Sequence, residues 1–318
     1  MRPTGKLHLG HLVGALENWV ALQQDFNNYH LIADYHALTT NIDSSDIYQN
    51  SIDMLIDWLA AGIDPVKSPV FRQSQVKEHA ELHLILSMLI TASRLERNPA
   101  VKDQVRELQI ENVSYGHLGY PVLQAADILL YKGDLVPVGE DQVPHVEISR
   151  EIARRFNNQY GVVFPEPEPK LTRFARLPGL DGKDKKMSKS AGNTILLSDP
   201  PADIQKKMRT AVTDPKKIRK NDPGRPDICL VFTYHQKFNA SEVPHIDADC
   251  RSGALGCVEC KVRIANTVAD TLAPIRKRRA YYENHLNEVK DILIDGEKRA
   301  RTRAEGTMKE VRKVMKLG

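Results

Sequence analysis

At 318 residues the chain has the length of one large domain or two ordinary ones and can bury a substantial core. Its 41% hydrophobic and 27% charged residues suit a globular protein in water. No stretch nears twenty uninterrupted apolar residues, which excludes a helical membrane span, and Met1-Arg2-Pro3-Thr4-Gly5 lacks an apolar signal core, so a cytoplasmic protein is expected. The formal charge of +4 is concentrated at one end: residues 261–318 carry fifteen Lys/Arg against eight Asp/Glu. That end suits an anionic partner such as nucleic acid, although a solvated helix face would look the same by charge alone.

Along the chain, Leu12, Leu16, Trp19 and Val20 recur at helical spacing and predict a helix over 12–22. His30-Leu31-Ile32-Ala33 reads as a short buried strand ending at Asp34. A helix follows over 44–61, with Ile52, Leu55, Ile56 and Leu59 on one face and a stop near Gly62 and Pro65. Pro69-Val70-Phe71 is a second strand, and 78–95 a further helix. Strands alternating with helices predict an α/β fold, a Rossmann-like parallel-sheet domain over 1–195. Beyond it only helices are expected, over 201–212, 262–286 and 288 to the end, forming an all-helical second domain over 196–318.

Three runs carry chemistry. Pro3-Thr4-Gly5-Lys6-Leu7-His8-Leu9-Gly10-His11 stands directly before a helix. Its glycines allow close approach of a phosphate, the helix start offers free N–H groups, and two histidines can donate to phosphate oxygens. A tight turn with a histidine cap is the plainer reading. Lys186-Met187-Ser188-Lys189-Ser190, flanked by Gly182 and Gly192, puts two lysines on a loop suited to a polyphosphate whose charge grows in the transition state, though a lone basic loop is usually only solvated. The third run, from Tyr120 through Gln124 and Asp127 to Tyr131, precedes Val136-Pro137-Val138-Gly139-Glu140-Asp141-Gln142. An aspartate in so apolar a helix calls for a ligand, a buried ion pair or a capping role.

The first two motifs in this order resemble the HIGH and KMSKS signatures of class I aminoacyl-tRNA synthetases, with Leu9 in place of isoleucine. The third resembles the tryptophanyl branch rather than the tyrosyl one. The likeness spans essentially the whole chain. It implies activation of L-tryptophan by ATP with Mg²⁺ and transfer to tRNA(Trp), by a homodimer. It further implies that His8, His11, Lys186 and Lys189 are catalytic. ATP would also meet Arg2, Pro3, Thr4, Gly10, Gly139, Glu140, Asp141, Leu177, Met187, Ser188 and Ser190, and Lys102 could reach the phosphates. Asp127 would accept the indole N–H, with Tyr120, His36, Gln124, Val136, Val138 and Gln142 lining the pocket. Gln124 stands where many members carry methionine, and Arg2 where other branches carry glutamine. A tyrosyl enzyme and a non-catalytic tRNA-binding paralogue are the alternatives.

Cys229, Cys250, Cys257 and Cys260 follow a C-x20-C-x6-C-x2-C spacing. Four thiolates can close on zinc, hold an iron–sulfur cube, or remain free or disulfide-linked. A subset of bacterial tryptophanyl-tRNA synthetases carries a 4Fe-4S cluster on nearly this spacing, and the resemblance favours that over Zn²⁺.

One expectation concerns the start. A phosphate loop in such a fold follows the central first strand, yet only Met1 and Arg2 precede Pro3. The chain is therefore expected to begin at an internal methionine, with roughly five to ten residues upstream ending in a short strand.

Overall fold

The computed structural model describes residues 1–171 and 177–318. The first helical run is not uniform. It opens as α1 (Leu9–His11), widens into a π-turn over Leu12–Leu16 and continues as α2 (Glu17–Leu22). Such widened turns recur at functional sites. Strand β1 (His30–Ile32) leads into α3 (Asp34–Leu38), then α4 (Ile47–Ala61) and β2 (Val70–Arg72). Gly62, at φ 117°, takes the left-handed position that ends α4. The helix expected over 78–95 is two, α5 (Glu78–Ser87) and α6 (Ala92–Glu96), separated by residues 88–91.

Next come α7 (Pro99–Glu107), α8 (Tyr115–Leu129), β3 (Leu135–Val138), α9 (Val143–Tyr160) and β4 (Glu168–Leu171). Only helices follow among the described residues: α10 (Pro201–Thr210), α11 (Leu230–Phe238), α12 (Val243–Ser252), α13 (Cys257–Asn284) and α14 (Leu286–Met315). Sequence reading found neither β3 nor β4, nor α11 or α12. These elements are short, and Pro137 interrupts the apolar pattern of β3.

The strands form two parallel pairs. His30 lies opposite Val70 in β1–β2, and Leu135 opposite Glu168 in β3–β4. No strand precedes Pro3 among the described residues. Met1 instead makes β-type bonds to the exposed side of β1: its ammonium donates to the Leu31 carbonyl at 2.7 Å, and the Ala33 N–H donates to the Met1 carbonyl at 2.9 Å.

The apolar side chains gather in two cores, and each draws on both halves of the sequence. One joins Leu7, Leu9, Leu16 and Ile32 to Leu55 and Trp58 of α4 and to Ile264, Val268 and Leu272 of α13. The other joins Phe71, Leu86, Val122, Leu129, Ile152 and Phe156 to Ala300, Ala304 and Met308 of α14. Helix α13 thus lies on α4, and α14 on β2 and α5. Gly296 allows the latter approach, because a Cβ there would overlap the Val70 carbonyl.

Candidate active site

Parallel α/β sheets place ligands beyond the carboxyl ends of their strands. Here β1 runs out toward His36, β2 into Gln73, and β3 into Gly139 and Gln142.

The histidine motif sits beside this edge. Its backbone from Leu7 to Leu9 is bridged antiparallel to Ile195–Leu197. The Leu9 N–H donates to Ile195 and the Leu197 N–H to Leu7, both at 2.9 Å. His8 caps α1, its Nδ1 accepting the Gly10 N–H at 3.1 Å, while His11 Nδ1 accepts the His8 N–H at 3.2 Å. With both Nδ1 atoms acting as acceptors, a neutral ring carries its proton on Nε2. Burial and the nearby Lys189 charge push His8 down to about 4. Burial, His8 and Lys189 push His11 down to about 3. Near neutral pH the pair therefore presents two uncharged Nε2–H donors with ring centres 3.8 Å apart. The turn-and-cap reading holds, and it fixes both tautomers with the proton on Nε2. Space beside Gly10 is tight: a Cβ there would lie 3.0 Å from the His8 ring and 3.4 Å from Met187 Sδ, so the His8 ring would have to shift by a few tenths of an ångström.

The lysine loop closes on the same place. Lys189 Nζ donates to the carbonyls of Thr4 and, at 3.2 Å, Lys6. Lys186 Nζ pairs with Glu107 at the end of α7, at 3.0 Å. Asn193, almost fully buried, pins the loop. It accepts from the Ser188 N–H at 2.8 Å and donates to Asp181 at 2.7 Å and to the Lys186 carbonyl at 3.0 Å. Met187 and Leu177 are buried, and the Ser188 and Ser190 hydroxyls bond each other at 2.8 Å.

A cleft of about 1380 Å³ opens between the two strand pairs. It gathers Arg2, His36, Tyr120, Gln124, Asp127, Val136, Val138, Asp141, Gln142 and Lys186. Tyr120, Gln124, Asp127 and Tyr131 lie at positions i, i+4, i+7 and i+11, one face across α8 and the residue pair after it. Asp127 is held by three donors: His36 Nε2 at 2.8 Å, Gln73 Nε2 at 2.7 Å and His79 Nδ1 at 2.7 Å. Burial alone would raise this carboxyl, but the hydrogen bonds from His36 and His79 outweigh it and hold Asp127 well below the usual carboxylate range. It is an anion at the floor of the cleft, prepared for a donor. Tyr120 is fixed by His145, whose Nε2 lies 2.8 Å from the hydroxyl and whose Nδ1 lies 3.0 Å from Gln142 Oε1. Gln142 Nε2 donates to Asp141 at 3.0 Å.

Of the expected site residues, Thr4, His8, Gly10, His11, Leu177, Met187, Ser188, Lys189 and Ser190 do not line this cleft, nor do Pro3, Gly139 and Glu140, whose chain neighbours do, and Lys102 is exposed on α7 outside it. Sequence reading missed Gln73, His79, Tyr131, His145, Asn193, Asp57 and Arg279. Gln73 and Tyr131 carried a usable signal, one directly following a strand and the other four residues beyond Asp127. Asp57 and Arg279 form a nearly inaccessible ion pair between α4 and α13, and Asp57 also accepts the Leu7 N–H at 2.7 Å. Burial pushes the Asp57 carboxyl up, to about 6, against the pull of Arg279 and Leu7.

The four cysteines come together at the junction of α11, α12 and α13. Cys229 caps α11, Cys250 ends α12, and Cys257 and Cys260 open α13. None of the four is in a disulfide. Burial, then the neighbouring cysteines, push Cys260 up to about 12. Among the described residues no three His, Cys, Asp or Glu side chains are placed around a single metal ion, so the expected ligand set is assembled as neighbours and not as a closed one-ion site.

The family model for class I tRNA synthetases of the W and Y type matches residues 1–273. The chain belongs to that family, and it is an aminoacyl-tRNA synthetase. Full-length relatives of the chain include tryptophan–tRNA ligases. The chain is 49% identical to the tryptophan–tRNA ligase of Thermotoga maritima and 44% identical to that of Aquifex aeolicus, covering all of this chain and 98% of each relative. It superposes on the crystal structure of Campylobacter jejuni tryptophanyl-tRNA synthetase complexed with ADP and tryptophan, with a TM-score of 0.88 at 34% identity, over 100% of this chain and 98% of that one.

Proposed function

We infer that the chain is a tryptophan–tRNA ligase. It activates L-tryptophan with ATP to tryptophanyl-adenylate and transfers the tryptophanyl group to tRNA(Trp). The observation that carries the assignment of residues is that Lys186 and Asp127 line one cleft, while the Leu7–Leu9/Ile195–Leu197 bridge ties the histidine motif to the chain that leaves the lysine loop.

The tryptophan carboxylate attacks the α-phosphorus of ATP in line and pyrophosphate leaves; the terminal hydroxyl of tRNA then attacks the carbonyl of the adenylate, forming the ester and releasing AMP. No side-chain nucleophile is required. His8 and His11 donate through Nε2–H to phosphate oxygens without competing charge. Lys186 and Lys189 leave Glu107 and the loop carbonyls to meet charge developing on the polyphosphate. Arg2, Pro3, Thr4, Gly10, Gly139, Glu140 and Asp141 surround the nucleotide, with Leu177 beside the base and Met187, Ser188 and Ser190 shaping the closing loop. Mg²⁺ bound to the phosphates neutralises part of their charge. Asp127 takes the indole N–H, and His36, Tyr120, Gln124, Val136, Val138 and Gln142 form the rest of the pocket. A substrate lacking a donor leaves the buried carboxylate short of a partner.

Residues 196–318 act as the tRNA-binding unit of a cytoplasmic homodimer. Exposed apolar side chains, Leu84 and Met88 at the end of α5, Leu108 after α7, and Val113 and Tyr115 at the start of α8, are available to a second copy. Cys229, Cys250, Cys257 and Cys260 hold a 4Fe-4S cluster. The all-thiol donor set and its spacing support that reading, and the same four thiolates would also suit zinc.

ATP–pyrophosphate exchange with tryptophan, tyrosine and no amino acid tests the activity; exchange only with tryptophan is expected, and equal exchange with tyrosine or none at all would overturn it. Anaerobically purified protein should contain iron and sulfide near four each per chain. Colourless protein with one zinc would instead select the alternative.

A further inference from the structure

Asp127 does not face the cleft with two equivalent oxygens. Oδ1 receives Gln73 Nε2 and His79 Nδ1, both at 2.7 Å, whereas Oδ2 receives only His36 Nε2, at 2.8 Å. A carboxylate oxygen accepts about two hydrogen bonds, so Oδ1 is full and Oδ2 keeps one vacancy, on the side shared with His36. Behind Asp127 the network continues. His79 is inaccessible to solvent, and its Nε2 lies 2.8 Å from the hydroxyl of Tyr131. If Tyr131 donates to Nε2, the His79 proton must sit on Nδ1, directed at Asp127. Tyr131 is in turn stacked on Tyr29, with ring centres 4.7 Å apart.

We propose that Tyr131 and His79 are positioning residues for amino-acid specificity: the Tyr131 hydroxyl anchors the His79 ring through Nε2, and His79 with Gln73 saturates Oδ1, so that Oδ2 alone is presented to the substrate's ring N–H. The inference rests on the reading of Asp127 as the indole acceptor. With the Tyr131 hydroxyl removed, the His79 Nε2 loses its partner inside the protein. The ring is then no longer held from both sides, and its hold on Oδ1, and with it the fixed orientation of Asp127, loosens.

The test compares kcat/KM in amino-acid-dependent pyrophosphate exchange for tryptophan and for its isostere with sulfur in place of the ring N–H. Tyr131→Phe is expected to raise the KM for tryptophan about tenfold with kcat nearly unchanged. It should lower the preference for tryptophan over the isostere by a similar factor, because only tryptophan uses the oriented oxygen. His79→Asn, whose amide N–H can occupy the Nδ1 position, should keep most of that preference, and His79→Leu should lose it. A merely structural role would weaken both substrates equally and leave the ratio unmoved. An unmoved ratio in Tyr131→Phe and His79→Leu, alongside a collapsed ratio in Asp127→Ala, overturns the proposal alone. An unmoved ratio in all three overturns the reading of Asp127 with it.

Discussion

Asp127 shows how a single residue combines an energetic cost with a use. Its charge is kept in a buried place by three donors, so Asp127→Ala deletes the indole acceptor and also strands Gln73, His36 and His79. Loss of a hydrogen bond to a buried charged group should cut kcat/KM for tryptophan at least about tenfold in pyrophosphate exchange; full activity would remove Asp127 from the pocket. Lys189 differs in kind. Its present partners are the backbone carbonyls of Thr4 and Lys6, and the contact to the polyphosphate proposed for it would strengthen as charge develops. Lys189→Ala is expected to lower kcat by about a hundredfold while leaving the KM for tryptophan near its original value. A rise in that KM with kcat intact would reassign the residue. Both side chains stood out in the sequence, Asp127 as a charge in an apolar helix and Lys189 in its loop motif. His79 did not, because its two partners are brought to it by α8 and nothing nearby in the chain marks it.

At the scale of elements, close approach between backbones decides what is tolerated. Helix α14 crosses β2 at Gly296, where any Cβ meets the Val70 carbonyl. Gly296→Ala must push the helix away from the strand, so calorimetry should show a melting temperature several degrees lower, in line with an overpacking cost of about 1–3 kcal/mol. The latch between α7 and the lysine loop is weaker. The Lys186–Glu107 pair is exposed on both sides, and such pairs contribute about 0–1 kcal/mol. Glu107→Gln should therefore release Lys186 at little cost and lower the KM for ATP by no more than a few fold; an increase would mean that the pair assists binding. The helical half of the chain and its long final helices were readable from periodicity. Their return onto β2, α4 and α5 was not, since the partner of an apolar face leaves no mark in its own sequence.

For the whole molecule, the dominant acid response comes from buried histidines. His8, His145 and His235 are pushed down to about 4, and His11 and His30 to about 3, in each case chiefly by burial. The folded protein favours their neutral forms. Their contribution is complete above the unfolded value near 6.5 and is lost progressively as pH falls toward 4–3, each at up to about 1.4 kcal/mol per pH unit. Asp57 acts with the opposite sign: its folded value near 6 lies above the unfolded one, so it gains stability as pH falls through that range. Five groups outweigh one, and the melting temperature should drop steeply between pH 6.5 and 5. A flat profile would show that these histidines are open to protonation in the native state.

The sequence by itself determined the chemistry on offer: two phosphate motifs, an anion in an apolar helix, four thiols and helices with their periodic faces. These are local properties, set by residue type and by neighbours within a turn or two. Only the tertiary structure decided how they combine. The bridge from Leu7–Leu9 to Ile195–Leu197 unites motifs from distant parts of the chain, and Asp57 joins the nucleotide loop to Arg279 on α13. Which oxygen of Asp127 remains free is likewise settled by Gln73, His79 and His36, which lie before α8 in the chain and beside it in space. Backbone pairing and burial act between segments whatever their separation in sequence, so the partner of a group is fixed by packing rather than by the residues on either side of it.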